Sequence, residues 1–137
     1  MRRNERFGFS LVELIVVIGI IAVLVAVLAP AYLRYVEKSR VSRDVTAAEE
    51  IRHAAEIVVL SGTYNVTEEV LVTFDRSGIT VENTDAAKDL RNYLEENFDD
   101  LDSVRTVSST YADKTYMIYV KPPESGKGVP SVYGEWN

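Results

Sequence analysis

Three residues near the start of the chain could take part in chemistry, and they stand close together. Gly8-Phe9 is a junction of a small and a bulky residue, behind a short polar segment that holds Arg2, Arg3 and Arg6. Glu13 is the single acid in the apolar run from Phe9 to Ala29, which Pro30 ends. A secretory signal is cut after its apolar stretch. Here the processing-like junction lies before it, so a cut at Gly8-Phe9 leaves the apolar segment on the mature protein. Glu13 needs a partner, because a charge deep in a membrane helix costs on the order of 2.5–3.5 kcal/mol. The segment itself holds no basic residue. A free amine on Phe9 is the nearest candidate, on the same helix or on a neighbour.

The rest of the chain is poor in reactive groups. It has no cysteine, which excludes disulfides and thiolate metal sites. Its one histidine, His53, is too little for a His-based metal site or a Ser-His triad, and reads as a surface or sheet-facing residue. No nucleophile–base pair emerges, so no catalytic residue, cofactor or metal is expected and the chain is read as a non-enzyme. Glu95, Glu96, Asp99, Asp100 and Asp102 could form a calcium site, but a solvated helix end is the simpler reading. The Asn65-Val66-Thr67 sequon carries little weight. The net charge is −6. The first eight residues hold three arginines against Glu5, so the chain from Phe9 onward carries −8. An acidic chain of this kind is not expected to bind nucleic acid.

The elements that must position these residues follow from the hydrophobic pattern. Phe9–Ala29 has 21 residues, which as a helix span roughly 30 Å, the thickness of a bilayer core. The arginines before it keep the N-terminus cytoplasmic and send the C-terminus across. Pro30 is expected to break or bend the helix. Beyond it Val41, Val45, Ala48, Ile51 or Arg52, Ala55 and Val58 recur every three or four residues, an amphipathic helix reaching about Leu60 and ended by Ser61-Gly62. Val70–Phe74 and Ile79–Val81 read as strands around an Asp75–Gly78 turn. Asn83 or Thr84 can cap a helix over about Asp85–Asn97, with Leu90, Tyr93, Leu94 and Phe98 on one face. Val104–Tyr111 and Thr115–Val120 read as strands joined at Ala112–Lys114, the second apolar on both faces and so covered on both. Glu124–Pro130 reads as a loop, with Val132, Tyr133 and Trp136 packing back on the domain. The long helix must cover its stripe and the sheet must cover a face, so one packs on the other. The expected fold is α+β, a long N-terminal helix on a small antiparallel sheet.

The stretch Arg6-Phe7-Gly8-Phe9-Ser10-Leu11-Val12-Glu13-Leu14-Ile15 resembles the cleavage and N-methylation motif of the type IV pilins. The likeness runs roughly from Phe7 to Tyr35 and beyond that extends only to layout. It implies a leader over residues 1–8 and a transmembrane or filament-core helix over 9–30. It further implies an amphipathic helix over 31–60 and a sheet domain over 61–137, together a lollipop shape. It implies cleavage between Gly8 and Phe9 by a membrane peptidase that needs a small residue at the cut, then methylation of the Phe9 amine. Glu13 would pair with the Phe9 amine of an adjacent subunit and set the helix register. The residues before Pro30, around Ala22–Ala29, would lose helical structure in a filament. Phe9, Tyr32 and Tyr35 read as packing and interface aromatics rather than an electron path.

The expected function is that of a structural subunit of a surface filament, a membrane protein before assembly and extracellular afterwards. Its expected partners are further copies of itself, the prepilin peptidase and methyltransferase, a pilus assembly platform in the membrane, and lipid before assembly. A pseudopilin of a type II secretion or competence system shares the motif. A membrane-anchored binding module is the reading from another class, and an uncleaved N-terminus would support it.

Overall fold

The computed structural model describes residues 8–62, 66–82, 84–98, 101, 103–124 and 128–137. The chain forms two compact units, Met1–Val36 and Glu37–Asn137. Helix α1, Leu11–Leu60, contributes to both. The expected break at Pro30 does not interrupt it: Pro30 lies inside a continuous helix. Proline removes one i→i−4 bond and crowds the preceding turn. Here the bonds on either side carry the helix through. α1 ends where expected, with the Ser61 N–H on the Ile57 carbonyl at 2.9 Å. Gly62 follows at φ +72°, the left-handed conformation that terminates helices and suits glycine.

In the first unit the side chains of α1 are exposed and almost wholly apolar. The helix is long and apolar enough to cross a membrane.

The second unit holds the core. Strands β1 (Val70–Asp75), β2 (Gly78–Val81), β3 (Tyr116–Lys121) and β4 (Ser131–Trp136) form one antiparallel sheet in the order β2-β1-β3-β4. Helix α2, Lys88–Asn97, follows a short 3-10 turn at Asp85–Ala87. The expected α+β architecture is therefore present, with the second half of α1 packed on the sheet. Ala48, Ile51, Ala55 and Val58 are buried as the stripe predicts. They join one core cluster with Val70, Val72 and Phe74 of β1, Tyr116, Ile118 and Val120 of β3, and Leu90 and Leu94 of α2. Register explains the alternation: Val72 faces Ile118, Ile118 faces Gly134, and Tyr116 faces Trp136, all on the core side. The β1–β2 turn is the expected one. The Ser77 N–H donates to Asp75 Oδ1 at 2.7 Å, and Gly78 has φ +122°.

Other expectations change. Val104–Tyr111 is not a strand; the four backbone donors of Val107–Thr110 go to carboxylates on α1 instead of to a neighbouring strand. The fourth strand is Ser131–Trp136, where the sequence suggested residues packing back on the domain. Strand β3 is interior, but only one of its faces is buried; Met117, Tyr119 and Lys121 are half-buried on the other. There Tyr119 stacks on Tyr133 at 5.0 Å, with the Lys121 ammonium over both rings at 5.7 and 5.2 Å. Thr84 makes no side-chain capping bond, and Asn83 lies outside the described residues.

Candidate functional site

The start of α1 is built by four residues. Ser10 precedes the first helical residue, and its Oγ accepts the Val12 N–H at 3.2 Å. The Glu13 carboxylate reaches back to accept the Ser10 N–H through Oε2 at 2.9 Å. This is a reciprocal capping box: serine and the glutamate three residues on satisfy donors that a helix N-terminus leaves open. Glu13 also places negative charge in the first turn, where the helix dipole favours it. The Ser-x-x-Glu spacing is present in the sequence at Ser10 and Glu13, and is the signal that marks this local use of the acid. Glu13 thus has a partner within the chain. Among the described residues Oε2 is the only one of its oxygens with a recorded bond.

Gly8 and Phe9 lie just before this cap. Phe9 is 87% exposed. A Cβ built on Gly8 would meet nothing within 4 Å, and Gly8 is not among the glycines of positive φ. Nothing in the described fold demands glycine there. Gly19 is alike: a Cβ there meets nothing within 4 Å, although glycine in a helix interior costs about 1 kcal/mol relative to alanine. Nothing in the described fold demands glycine there either. Tyr32 and Tyr35 are exposed on the same helix.

The remaining expected residues scatter. His53 is a surface residue, 63% exposed, with Nδ1 3.4 Å from Glu56 Oε2. Glu95 and Glu96 are exposed on α2, while Asp99, Asp100, Asp102 and Asn65 lie outside the described residues. No group of three metal-ligating side chains occurs among the described residues.

A second polar constellation was not anticipated. Asp44 is buried on α1 and accepts two backbone N–H groups, Val107 at Oδ1 (3.0 Å) and Ser108 at Oδ2 (2.9 Å). Glu37, two turns earlier, accepts the N–H and hydroxyl of Ser109, both at 2.6 Å, and the N–H of Thr110 at 3.2 Å. The Ser109 hydroxyl bond, helped by the backbone donors and by Arg40, holds the Glu37 carboxyl below its usual value of 4.5 against the opposing effect of burial. Deeper in the unit, Glu49 joins Arg52 (2.8 Å) to the Tyr116 hydroxyl (3.1 Å). Burial first, and the hydrogen bond to Glu49 second, push the Tyr116 phenol up to about 12. No local signal marks the Asp44 pairing, since its partners lie more than sixty residues away.

Fold and terminus together define a class: a small α+β unit on a long helix whose first half is apolar on every side and opens with a capped, glutamate-bearing turn. Comparison with known proteins narrows it. The family model for the prokaryotic N-terminal methylation motif matches residues 3–29. Type IV major fimbrial protein FimA of Dichelobacter nodosus is 42% identical over 55 residues, 40% of this chain and 35% of that protein. A fimbrial protein of Pseudomonas aeruginosa is 38% identical over 55 residues, 40% of this chain and 36% of that protein. The type IV major alpha-pilin of Moraxella bovis is 33% identical over 82 residues, 59% of this chain and 52% of that protein. The chain thus spans about a third to a half of the length of these relatives. No solved structure matches it at a significant level. The resemblance to the type IV pilins stands, and its weight lies in the N-terminal segment.

Proposed function

We propose that this chain is the precursor of a type IV pilin, a structural subunit that is cut between Gly8 and Phe9, methylated on the Phe9 amine and polymerised into a surface filament. One observation carries the reading: a methylation-type motif opens a helix whose first half is apolar on all sides and unburied in its own fold. Such a surface is stable only in lipid or among other apolar helices. Before assembly the helix spans the membrane with its N-terminus cytoplasmic. After assembly it lies among copies of itself, and the acidic sheet unit faces outward. The partners are further copies, the peptidase and methyltransferase that act on Gly8-Phe9, and an assembly platform in the membrane. Its relatives are named as fimbrial subunits, and its work is assembly rather than turnover.

Glu13 takes the register role. Cleavage leaves a charged amine on Phe9, and methylation preserves that charge. The Glu13 carboxylate spends one oxygen on the Ser10 N–H, which leaves a second to meet the Phe9 amine of an adjacent subunit. A charge left unpaired in an apolar core is costly, so the pairing selects one axial stagger. Pro30 marks a turn one hydrogen bond short, the place where the helix most easily loosens on entering a filament.

Intact-mass analysis of the assembled protein tests the processing. A chain beginning at Phe9 with one added methyl group is expected, and a mass that retains Met1–Gly8 overturns it. Electron microscopy of producing cells, labelled with antibody against the sheet unit, tests the assembly. Long labelled fibres are expected, whereas membrane label without fibres points to a secretion or competence pseudopilin.

A further inference from the structure

Asp44 and Glu37 hold a segment whose one other recorded side-chain bond among the described residues is local, the Tyr111 N–H on Ser108 Oγ at 3.3 Å. The Val107–Thr110 strap lies between α2 and β3 and belongs to no strand. Its ends are fixed to the sheet. The Thr106 N–H donates to the Asp75 carbonyl at 3.1 Å, and the Tyr111 ring stacks on Trp136 at 4.0 Å. Between those ends, four successive backbone N–H groups terminate on the two carboxylates. Glu37 and Asp44 stand seven residues apart, two helical turns, so both face the strap. The same stretch of α1 is weakly packed. Before Asp44 no helix residue is buried, and the continuous apolar packing on the sheet starts at Ala48.

We propose that the strap is a detachable clasp, which opens and closes over the Glu37–Ala47 stretch of α1 while the core from Ala48 onward stays folded. The closed state rests on charge-assisted hydrogen bonds. These are strong but few, and water can replace each of them without exposing the main apolar core. The core rests on the Ile51, Ala55 and Val58 stripe and opens only with the whole unit. Segments held by few buried apolar contacts are the ones that open locally, below the free energy of global unfolding. An open clasp frees three further turns of helix from the sheet unit. The length of helix available to other partners is then set by a switchable polar contact rather than by the core.

The absence of cysteine from the chain makes a direct test possible. Ser108 and Ala55 are both fully buried, so Ser108→Cys reports opening of the strap and Ala55→Cys reports opening of the core. Each is placed singly in the full chain in detergent micelles, and labelling by a thiol reagent is timed. Ser108→Cys is expected to react at least about tenfold faster than Ala55→Cys. Adding Glu37→Gln to each should speed the first about tenfold and leave the second within about twofold. Native-state amide exchange on the unmodified chain gives an independent reading, with 107–110 exchanging ahead of the strands. Equal labelling rates, parallel acceleration of both thiols, or a strap as protected as β1 and β3 would each overturn the clasp.

Discussion

At the scale of single residues, three carboxylates do different work although the sequence shows them alike. Glu13 closes a capping box and, in the proposed filament, meets an amine. Glu13→Val makes the segment more apolar and leaves Gly8-Phe9 intact, so insertion and cleavage should survive. Loss of the cap should cost about 0.5–2 kcal/mol of local helix stability, and sheared-filament yield should fall far more than that fraying explains. Normal filaments at normal yield from Glu13→Val would show that the acid is only a cap. Asp44 is buried with two backbone donors and no basic partner among the recorded ion pairs. Asp44→Asn removes the charge and turns an amide N–H₂ toward one of those donors. A loss of about 1.5–3 kcal/mol is expected in a denaturant melt, the range for hydrogen bonds to charged groups. Glu37 is nearer the surface and gives a pH prediction instead. Its folded value lies below 4.5 because the Ser109 hydroxyl and the strap N–H groups favour the charged form. A lowered folded value means that the stabilisation is complete above the unfolded value and is lost as pH falls through the folded one. The Ser109 amide resonance should therefore titrate with a midpoint below 4.5, and Glu37→Gln should abolish that titration. A midpoint above that value would contradict the bonding.

At the scale of elements, β4 explains why Gly134 is glycine. It lies opposite Ile118 in the register, on the core side. A Cβ there would stand 2.6 Å from Tyr116 Cζ and 2.8 Å from Cε1, with the phenol oxygen closer still. The ring cannot easily yield, since its hydroxyl is tied to Glu49 and its centroid lies 5.0 Å from that of the Trp136 ring, tilted by 54°. Gly134→Ala should therefore destabilise the unit by about 1–3 kcal/mol, the usual cost of overpacking, despite alanine's smaller loss of backbone entropy. An unchanged midpoint in thermal melts would mean that Tyr116 swings clear. This strand also shows where sequence reading stopped. The α1 stripe, the β1–β2 turn and α2 were legible because each follows from a local period or a turn residue. Ser131–Trp136 was not, because Gly134 interrupts it with a residue that strands disfavour, and the reason for the glycine sits on β3. Val104–Tyr111 carried β-branched residues and read as a strand. Two acids more than sixty positions away decided otherwise. The motif at Gly8–Glu13 was readable as a spacing, whereas the Ser10–Glu13 cap within it required the geometry.

At the scale of the molecule, the second half of α1 is part of the domain core rather than a stalk attached to it. Ile51, Val58 and Val59 are almost fully buried, and each such side chain is worth about 1.5–3 kcal/mol. Together they approach the whole stability of a small domain, about 5–15 kcal/mol. A fragment Ser61–Asn137 lacks them and leaves Val70, Val72, Phe74, Tyr116, Ile118 and Val120 facing water on the sheet. With no cysteine in the chain, no disulfide can compensate. That fragment should show no cooperative thermal transition by circular dichroism. A fragment Tyr35–Asn137 restores both the stripe and the two carboxylates, and should melt cooperatively as a soluble monomer. A third, Ala48–Asn137, restores the stripe without Glu37 and Asp44. It should also melt cooperatively, at a lower midpoint, with 107–110 exchanging freely. The order of the three midpoints separates the contributions: core packing makes the unit fold, and the carboxylates add the three turns of docked helix before Ala48. If Ser61–Asn137 melts like Tyr35–Asn137, the sheet and α2 suffice alone and α1 does not supply half of the core. If Ala48–Asn137 melts like Tyr35–Asn137, the carboxylates hold the strap at no gain to the whole.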